Sequence, residues 1–344
     1  MDQELLITEI KKSLQLSNLK IDWLAGDGSD RSYYRIKTDD KRTFVLMQLQ
    51  GNDAERLLEG QYDWIELGQL LRQHKVPAPR LIASLPAFGA LIIEDYGDET
   101  LEIAAKNRLK DGDAEGLLTL YHDAIKLIEA FLKIPKNVGE IWTTRAFDVE
   151  RYNWELNFFI KKFVQPLAPH LIDEKELVIL NNESQALAEY LAGFSNYFVH
   201  RDYHSRNLMH IGSNLASIDF QDARLGSPAY DLVSLCFDSY VPLNQELRHD
   251  LLEYAIETFR FSLNNKICDE IKSSWPQVLL QRQLKAIGSF AFLTLEKKRG
   301  NYLQYVTPAL NCLDSEIIFD KRWPFLSGEF LNRLKSQPLS HGAN

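Results

Sequence analysis

VHRDYHSRNLMHIGSNLASIDFQDARLGSPAYDLVSL, from Val199 to Leu235, is the stretch on which the reading of this chain turns. It opens on His200-Arg201-Asp202, and Asn207 follows after four more residues. Residues 208–211 and 215–218 are short apolar runs around Gly212-Ser213-Asn214, a pattern that predicts a tight β-hairpin. The hairpin delivers Asp219-Phe220 at its far end. A loop carrying Asp and Asn, then a hairpin, then a second Asp can bring three oxygen-bearing side chains to one point.

Phosphoryl transfer asks for such a set. Its transition state needs little covalent help from a protein but much positioning and charge neutralisation. One carboxylate accepts the proton of the acceptor hydroxyl; an amide oxygen and a second carboxylate hold magnesium, which prefers hard oxygen ligands. Asp202, Asn207 and Asp219 suit these catalytic roles in that order, with Asn207 and Asp219 as the metal ligands and His200 supporting the loop through hydrogen bonds. His200 and His204 stand four apart, yet without an adjacent Glu or a nearby cysteine they do not make a zinc motif.

Working outward, the chain separates into two characters. Residues 2–18 carry apolar residues at helical spacing. Residues 32–37 and 43–48 are β-rich runs joined by a hairpin signal at Asp39-Asp40-Lys41. A helix is expected over about 54–74, closed by the prolines at 77 and 79, and further strands over 80–84 and 89–95. Beyond Asp95-Tyr96-Gly97 the pattern is helical almost throughout, with helices predicted over 114–133, 147–165, 173–193, 228–238, 245–265 and 276–297. Strands first and helices after predict an α+β protein: a small antiparallel-sheet lobe over 1–95 and a large helical lobe over 96–344, with a ligand expected in a cleft between them.

The totals narrow the partners. A net charge of −9 over 344 residues argues against nucleic acid, which is bound through cationic surface. No stretch approaches the ~20 apolar residues of a membrane span, and the start has no signal-peptide pattern. Three scattered cysteines suit a reducing compartment, so a cytoplasmic protein is expected. The oligomeric state is not legible.

The H-x-D-x-x-x-x-N run, the hairpin and Ile218-Asp219-Phe220 resemble the aminoglycoside phosphotransferase and choline kinase branch of the protein-kinase-like fold. The segment Gly226-Ser227-Pro228-Ala229-Tyr230-Asp231-Leu232 is similar to that family's G-P-x-x-Y-D-L, which implies that Asp231 braces the catalytic loop. VHRDYHSRNLM, IDFQDA, YDLVSL and the later Gln281-Arg282-Gln283-Leu284-Lys285-Ala286-Ile287-Gly288 resemble more closely the bacterial anomeric kinases of N-acetylmuramic acid and N-acetylglucosamine. The resemblance implies ATP and Mg2+, and a small-molecule sugar acceptor. Related acceptors such as an aminoglycoside, choline or homoserine remain open, as does a nucleotide-binding pseudokinase.

The resemblance is incomplete in the sheet lobe. Gly26-Asp27-Gly28-Ser29-Asp30-Arg31 stands where a Gly-rich loop would cover phosphates, which makes Gly28 and Ser29 candidate nucleotide contacts. The third-strand lysine is missing, its place taken by Met47 or Gln48, and Arg31 and Arg35 are the candidate replacement cations. Glu55, Glu59 and Glu66 are candidates for an acidic partner on the following helix. By fold analogy Glu94 and Tyr96 offer backbone groups to adenine. On the acceptor side, Asp222 can orient a sugar hydroxyl or cap a turn. Arg206 can meet phosphate or a carboxylate such as Asp231. Trp142, Tyr152 and Trp154 read mainly as core, and Glu155 has no assigned role. The 281–288 helix is structural or sends Arg282 or Lys285 towards the cleft, a solvated or ion-paired face being the expectation for both.

Overall fold

The computed structural model describes residues 3–26, 31–138 and 145–337. The chain forms two compact units. The first comprises residues 1–99 together with 209–221, and the second comprises 100–208 and 222–344. The hairpin of the deciding stretch therefore belongs to the first unit, and the loop before it belongs to the second.

The first unit is built on a five-stranded antiparallel sheet. Its strands are β1 (Leu19–Gly26), β2 (Ser32–Thr38), β3 (Thr43–Gln48), β4 (Leu81–Leu85) and β5 (Ala90–Glu94), in the order β1-β2-β3-β5-β4. The central strand β3 is apolar on both faces, as a strand covered on both sides must be. Leu46 joins Ile36 and Ile92 beneath Leu6 and Ile10 of helix α1 (Gln3–Leu14). The alternate residues Val45 and Met47 are buried on the other face, so the place of the absent lysine is filled by core. Gln48, next to it, donates its amide to the carbonyl of Phe88 at 2.6 Å.

The expected single helix after β3 is two: α2 (Gly51–Leu58) and α3 (Asp63–Gln73). Gly60 breaks them with φ of +74°, a left-handed conformation that glycine adopts at little cost. Helix α3 buries Trp64, Leu67 and Leu71. Phe220, fully buried, stacks on Trp64 at 5.3 Å between centroids and lies against Gly68. That aromatic anchor fixes the residue immediately after Asp219.

The second unit is helical. Its main members are α4 (Leu101–Asp111), α5 (Ala114–Leu132) and helices over Val149–Phe159, Glu174–Ala192, Tyr230–Cys236, Gln245–Ser262 and Asn265–Leu295. Side-chain caps at Thr100, Asp113, Asp148, Asp173, Asn244 and Asn264 start most of them. The Asn265–Leu295 helix begins well before the expected residue 276 and runs through Pro276. It carries apolar residues all round because its middle, from Val278 to Ile287, is almost wholly buried. All three cysteines are buried as free thiols. No helix among the described residues is long and apolar enough to cross a membrane.

Gly288 marks the closest approach of this helix to Val149–Phe159: a Cβ there would lie 2.8 Å from the Cα of Phe159. Alanine favours helix over glycine by about 1 kcal/mol in isolation, yet here the backbones must part to admit it. Gly288→Ala is therefore expected to destabilise the protein by about 1–3 kcal/mol in urea unfolding; a stabilised variant would contradict this packing.

Candidate active site

In the second unit, strands β6 (Tyr197–Val199) and β9 (Arg224–Gly226) pair antiparallel and pin both ends of the stretch between them. Gly226 has to be glycine, since a Cβ would meet Val199 at 2.6 Å. From β6 the chain turns sharply, with Arg201 at φ of +80°. Strain of this kind persists only where surroundings enforce it. Here the enforcement is the carboxylate of Asp231, which accepts the backbone N–H groups of His200 at 2.6 Å and Arg201 at 3.0 Å. The ring of His200 is buried edge-on to Phe131 and Tyr203, and the Tyr203 hydroxyl donates to the carbonyl of Ala124.

The spacing from Asp202 to Asn207 has a local cause. The Asp202 carbonyl accepts both the N–H of His204 at 3.0 Å and the side-chain amide of Asn207 at 2.9 Å. The amide oxygen of Asn207 is thereby turned away from that bond. Asp238, buried, accepts the N–H groups of Ser205 and Tyr240 and holds the outer side of the turn.

The side chain of Asp202 sits in a cationic setting. Its Oδ1 is 2.6 Å from Lys285 Nζ and its Oδ2 is 3.5 Å from Arg201. Burial opposes ionisation, but Lys285 and then Arg201 outweigh it and hold this carboxyl well below its usual range. Arg201 also contacts Asp222 at 3.1 Å and the fully buried Glu155 at 3.3 Å. Glu155 in turn receives Gln281 at 2.9 Å and approaches Arg151 at 3.4 Å. Arg224 bonds the carbonyl of Asp222 and lies over the ring of Phe147. Burial, with repulsion from Arg201 and Arg151, lowers Arg224 to about 10.

In the first unit, the hairpin of β7 (Leu208–Ile211) and β8 (Asn214–Ser217) leads to Asp219, which has φ of +60°. Its Oδ1 accepts from Gln221 at 2.7 Å and from Arg31 at 3.3 Å. Arg31 is largely buried and also holds Asp53, at the start of α2, at 3.0 Å. Arg31 and Asp219 are therefore neighbours in this unit. Magnesium usually takes one or two carboxylates and completes its shell with phosphate and water. The Asp219 carboxylate and the Asn207 amide oxygen have the right chemistry for that, while among the described residues no group of three or more His, Cys, Asp or Glu could hold a metal unaided.

Several expectations need correction. Arg35 is not available as a phosphate cation: its guanidinium makes a two-pronged bond with Asp95 at 2.7 and 3.0 Å and reaches Asp98 and the Gly97 carbonyl. Arg206 pairs with Glu102 at 2.7 Å, not with Asp231, and lies 3.7 Å above the ring of Tyr240. The N–H of Glu94 is committed to the carbonyl of Arg80, and its carboxylate pairs with the Arg80 guanidinium. Tyr96 follows β5 as expected, half-buried. Glu55, Glu59 and Glu66 are exposed, and the acid that meets an arginine near Asp219 is Asp53. Gly28, Ser29 and Trp142 lie outside the described residues. Tyr152 is core, whereas Trp154 is half-exposed, stacked on Phe158 beneath Arg151. Lys285 is ion-paired, one of the outcomes expected for it, with Asp202 as its partner, while Glu155 and Asp53 are participants to which the sequence assigns no role.

Comparison with known proteins completes the picture. The family described as the phosphotransferase enzyme family matches residues 23–262. A Pseudomonas aeruginosa protein named N-acetylmuramate/N-acetylglucosamine kinase is 28% identical over 300 residues, covering 85% of this chain and 82% of that protein. A Neisseria meningitidis protein of the same name is 25% identical, covering 84% and 83%. Among solved structures, an ADP-bound aminoglycoside phosphotransferase superposes with a TM-score of 0.60 at 14% identity, covering 95% of this chain and 99% of that one. A choline kinase from Cryptosporidium parvum gives 0.62 at 14%, covering 97% and 99%. These likenesses place the fold among the protein-kinase-like small-molecule kinases.

The buried network makes Glu155 the residue whose loss is most damaging. Glu155→Ala leaves Arg201 and Arg151 short of a counter-charge and is expected to cost about 3–5 kcal/mol of unfolding free energy. Burial works against its ionisation, but Arg201, Lys285 and Arg151 bring the carboxyl below its ordinary 4.5. Its contribution is thus full at neutral pH and lost as pH falls below 4.5. Unfolding curves at neutral and acid pH check both points, and the wild type and Glu155→Ala should converge on acidification.

Proposed function

We propose that this chain, which belongs to the phosphotransferase enzyme family and is a small-molecule kinase with an alcohol acceptor, phosphorylates the anomeric hydroxyl of N-acetylmuramic acid or N-acetylglucosamine with ATP and magnesium. The observation that carries this reading is the match to kinases of that name over 85% of the chain. The charge around Asp202 supports it against the cationic acceptors. The Asp202 carboxylate is already paired with Lys285 and Arg201, so it does not offer an unshielded acidic patch to an aminoglycoside or choline.

In this reading Asp202 accepts the proton of the acceptor hydroxyl and aims its oxygen in line with the γ-phosphorus. An anomeric hydroxyl is more acidic than an ordinary alcohol, so a carboxylate held ionised suffices as base. Asn207 and Asp219 would hold magnesium, which would supply charge neutralisation and orientation to the phosphates. Arg31, beside Asp219, supplies the cation that β3 lacks. Glu94 and Tyr96 offer their remaining backbone groups to adenine, with Gly28 and Ser29 toward the phosphates. Asp222, held by Arg201 and still half-exposed, orients a sugar hydroxyl. Arg206 supports this side through Glu102 rather than touching substrate.

ADP release with magnesium, measured over a panel of N-acetylmuramic acid, N-acetylglucosamine, an aminoglycoside, choline and homoserine, tests the acceptor. Turnover is expected with the amino sugars and abolished by removal of magnesium. Turnover confined to the cationic acceptors would overturn the reading, and silence across the panel would point to a nucleotide-binding protein without turnover. Asp202→Ala is expected to lower kcat by about 10²–10⁴-fold. Arg31→Ala should raise the KM for ATP about tenfold or more. Unchanged ATP kinetics in that variant would remove Arg31 from the phosphate site.

A further inference from the structure

We propose that Lys285 is a positioning residue of the reaction: it clamps Asp202 in its productive orientation and places beside the transferred phosphoryl group a positive charge that β3 does not provide. The inference rests on the kinase reading but not on which acceptor is used.

The geometry is specific. Lys285 lies in the middle of the Asn265–Leu295 helix, its side chain only 14% exposed, with Nζ 2.6 Å from Asp202 Oδ1. The same helix face anchors the rest of the loop. Gln281 reaches Glu155 at 2.9 Å, and Arg282 donates to Ser234 at 3.0 Å, beside the Asp231 that grips the loop backbone. Four residues after Gln281, Lys285 thus meets the reactive carboxylate while its neighbours hold the scaffold around it. An ammonium buried against a carboxylate that already has Arg201 is costly to maintain if its sole purpose is stability. Met47, buried in the first unit, shows that no lysine serves from β3.

The chemistry follows from where the reacting atoms must be. The acceptor hydroxyl has to lie within hydrogen-bond reach of Asp202, roughly 2.6–3.2 Å, for its proton to pass. As the O–H bond breaks, the proton moves to Asp202. The acceptor oxygen forms its bond to the γ-phosphorus, and the P–O bond to ADP breaks with its electron pair leaving on ADP. The carboxylate loses its charge in that step. Lys285, until then neutralised by Asp202, is left as an uncompensated cation facing the new phosphate ester. The clamp therefore acts most strongly late in the step, where the gain appears in kcat.

The test uses full-length protein. Lys285→Met is expected to lower kcat about 10²-fold while KM for ATP and acceptor stay within about threefold. Lys285→Arg should retain a cation near Asp202 and recover part of the loss. In Lys285→Ala, added ethylammonium or propylammonium should raise kcat about tenfold or more, and neutral alcohols of the same size should not. A merely structural lysine would lower the melting temperature without amine rescue. Lys285→Met with unchanged kcat, a loss confined to KM, or no response to amines would each overturn the proposal. If the wild type turns over no amino sugar, the acceptor reading alone fails. The same variants are then compared by ATP hydrolysis with water as the acceptor, where the same loss and rescue are expected.

Discussion

The helical unit depends on one buried ion network, running from Glu155 through Arg201 to Asp202 and on to Lys285. Charges removed from water have to be matched and hydrogen-bonded, and the second unit devotes its longest helix to doing so. Asp231 is the other half of this constraint. By accepting two successive backbone N–H groups it holds Arg201 in a left-handed conformation that an arginine would not choose. The strain and the network together aim Asp202 and, through the Asp202 carbonyl, fix Asn207 beside it.

A parallel arrangement serves Asp219 in the first unit. It too lies at positive φ, and the next residue, Phe220, is locked between Trp64 and Gly68. The candidate metal ligands thus stand on rigid supports built from different parts of the sequence. The contrast is in their counter-charges. Asp202 is held by a lysine and an arginine from its own unit, and Asp219 by Arg31, whose second partner is Asp53. Arg31 and Lys285 are the cations proposed for the part that a β3 lysine would play.

Much of this architecture is legible in the sequence. The α+β architecture followed from where strand patterns gave way to helical ones. Asp202, Asn207 and Asp219 stand out because the hairpin between them has a clear turn signature, and Asp231 through the resemblance of the segment that carries it. What was not legible depended on side chains distant in sequence. Arg31 and Arg35 looked interchangeable on one hairpin, yet one meets Asp219 and the other is consumed by Asp95 and Asp98. Arg206 meets a carboxylate, as one of its two readings has it, but that acid is Glu102 on α4, a helix the sequence pattern does not announce. Lys285 and Glu155 sit on helices that are buried on nearly every side there, where periodicity carries no sign of which polar residue faces which. The break at Gly60 is a local signal, a glycine at positive φ inside an otherwise helical pattern, whereas the passage through Pro276 reflects packing that overrides local preference.

Transfer of phosphate to an anomeric oxygen is the proposed outcome of the Asp202, Asn207 and Asp219 set. It is tested most directly by identifying the product of N-acetylmuramic acid or N-acetylglucosamine turnover by phosphorus NMR. The expected product is a phosphate ester whose phosphorus couples to the anomeric proton. A product phosphorylated at any other hydroxyl, from an enzyme otherwise active on these sugars, would contradict it.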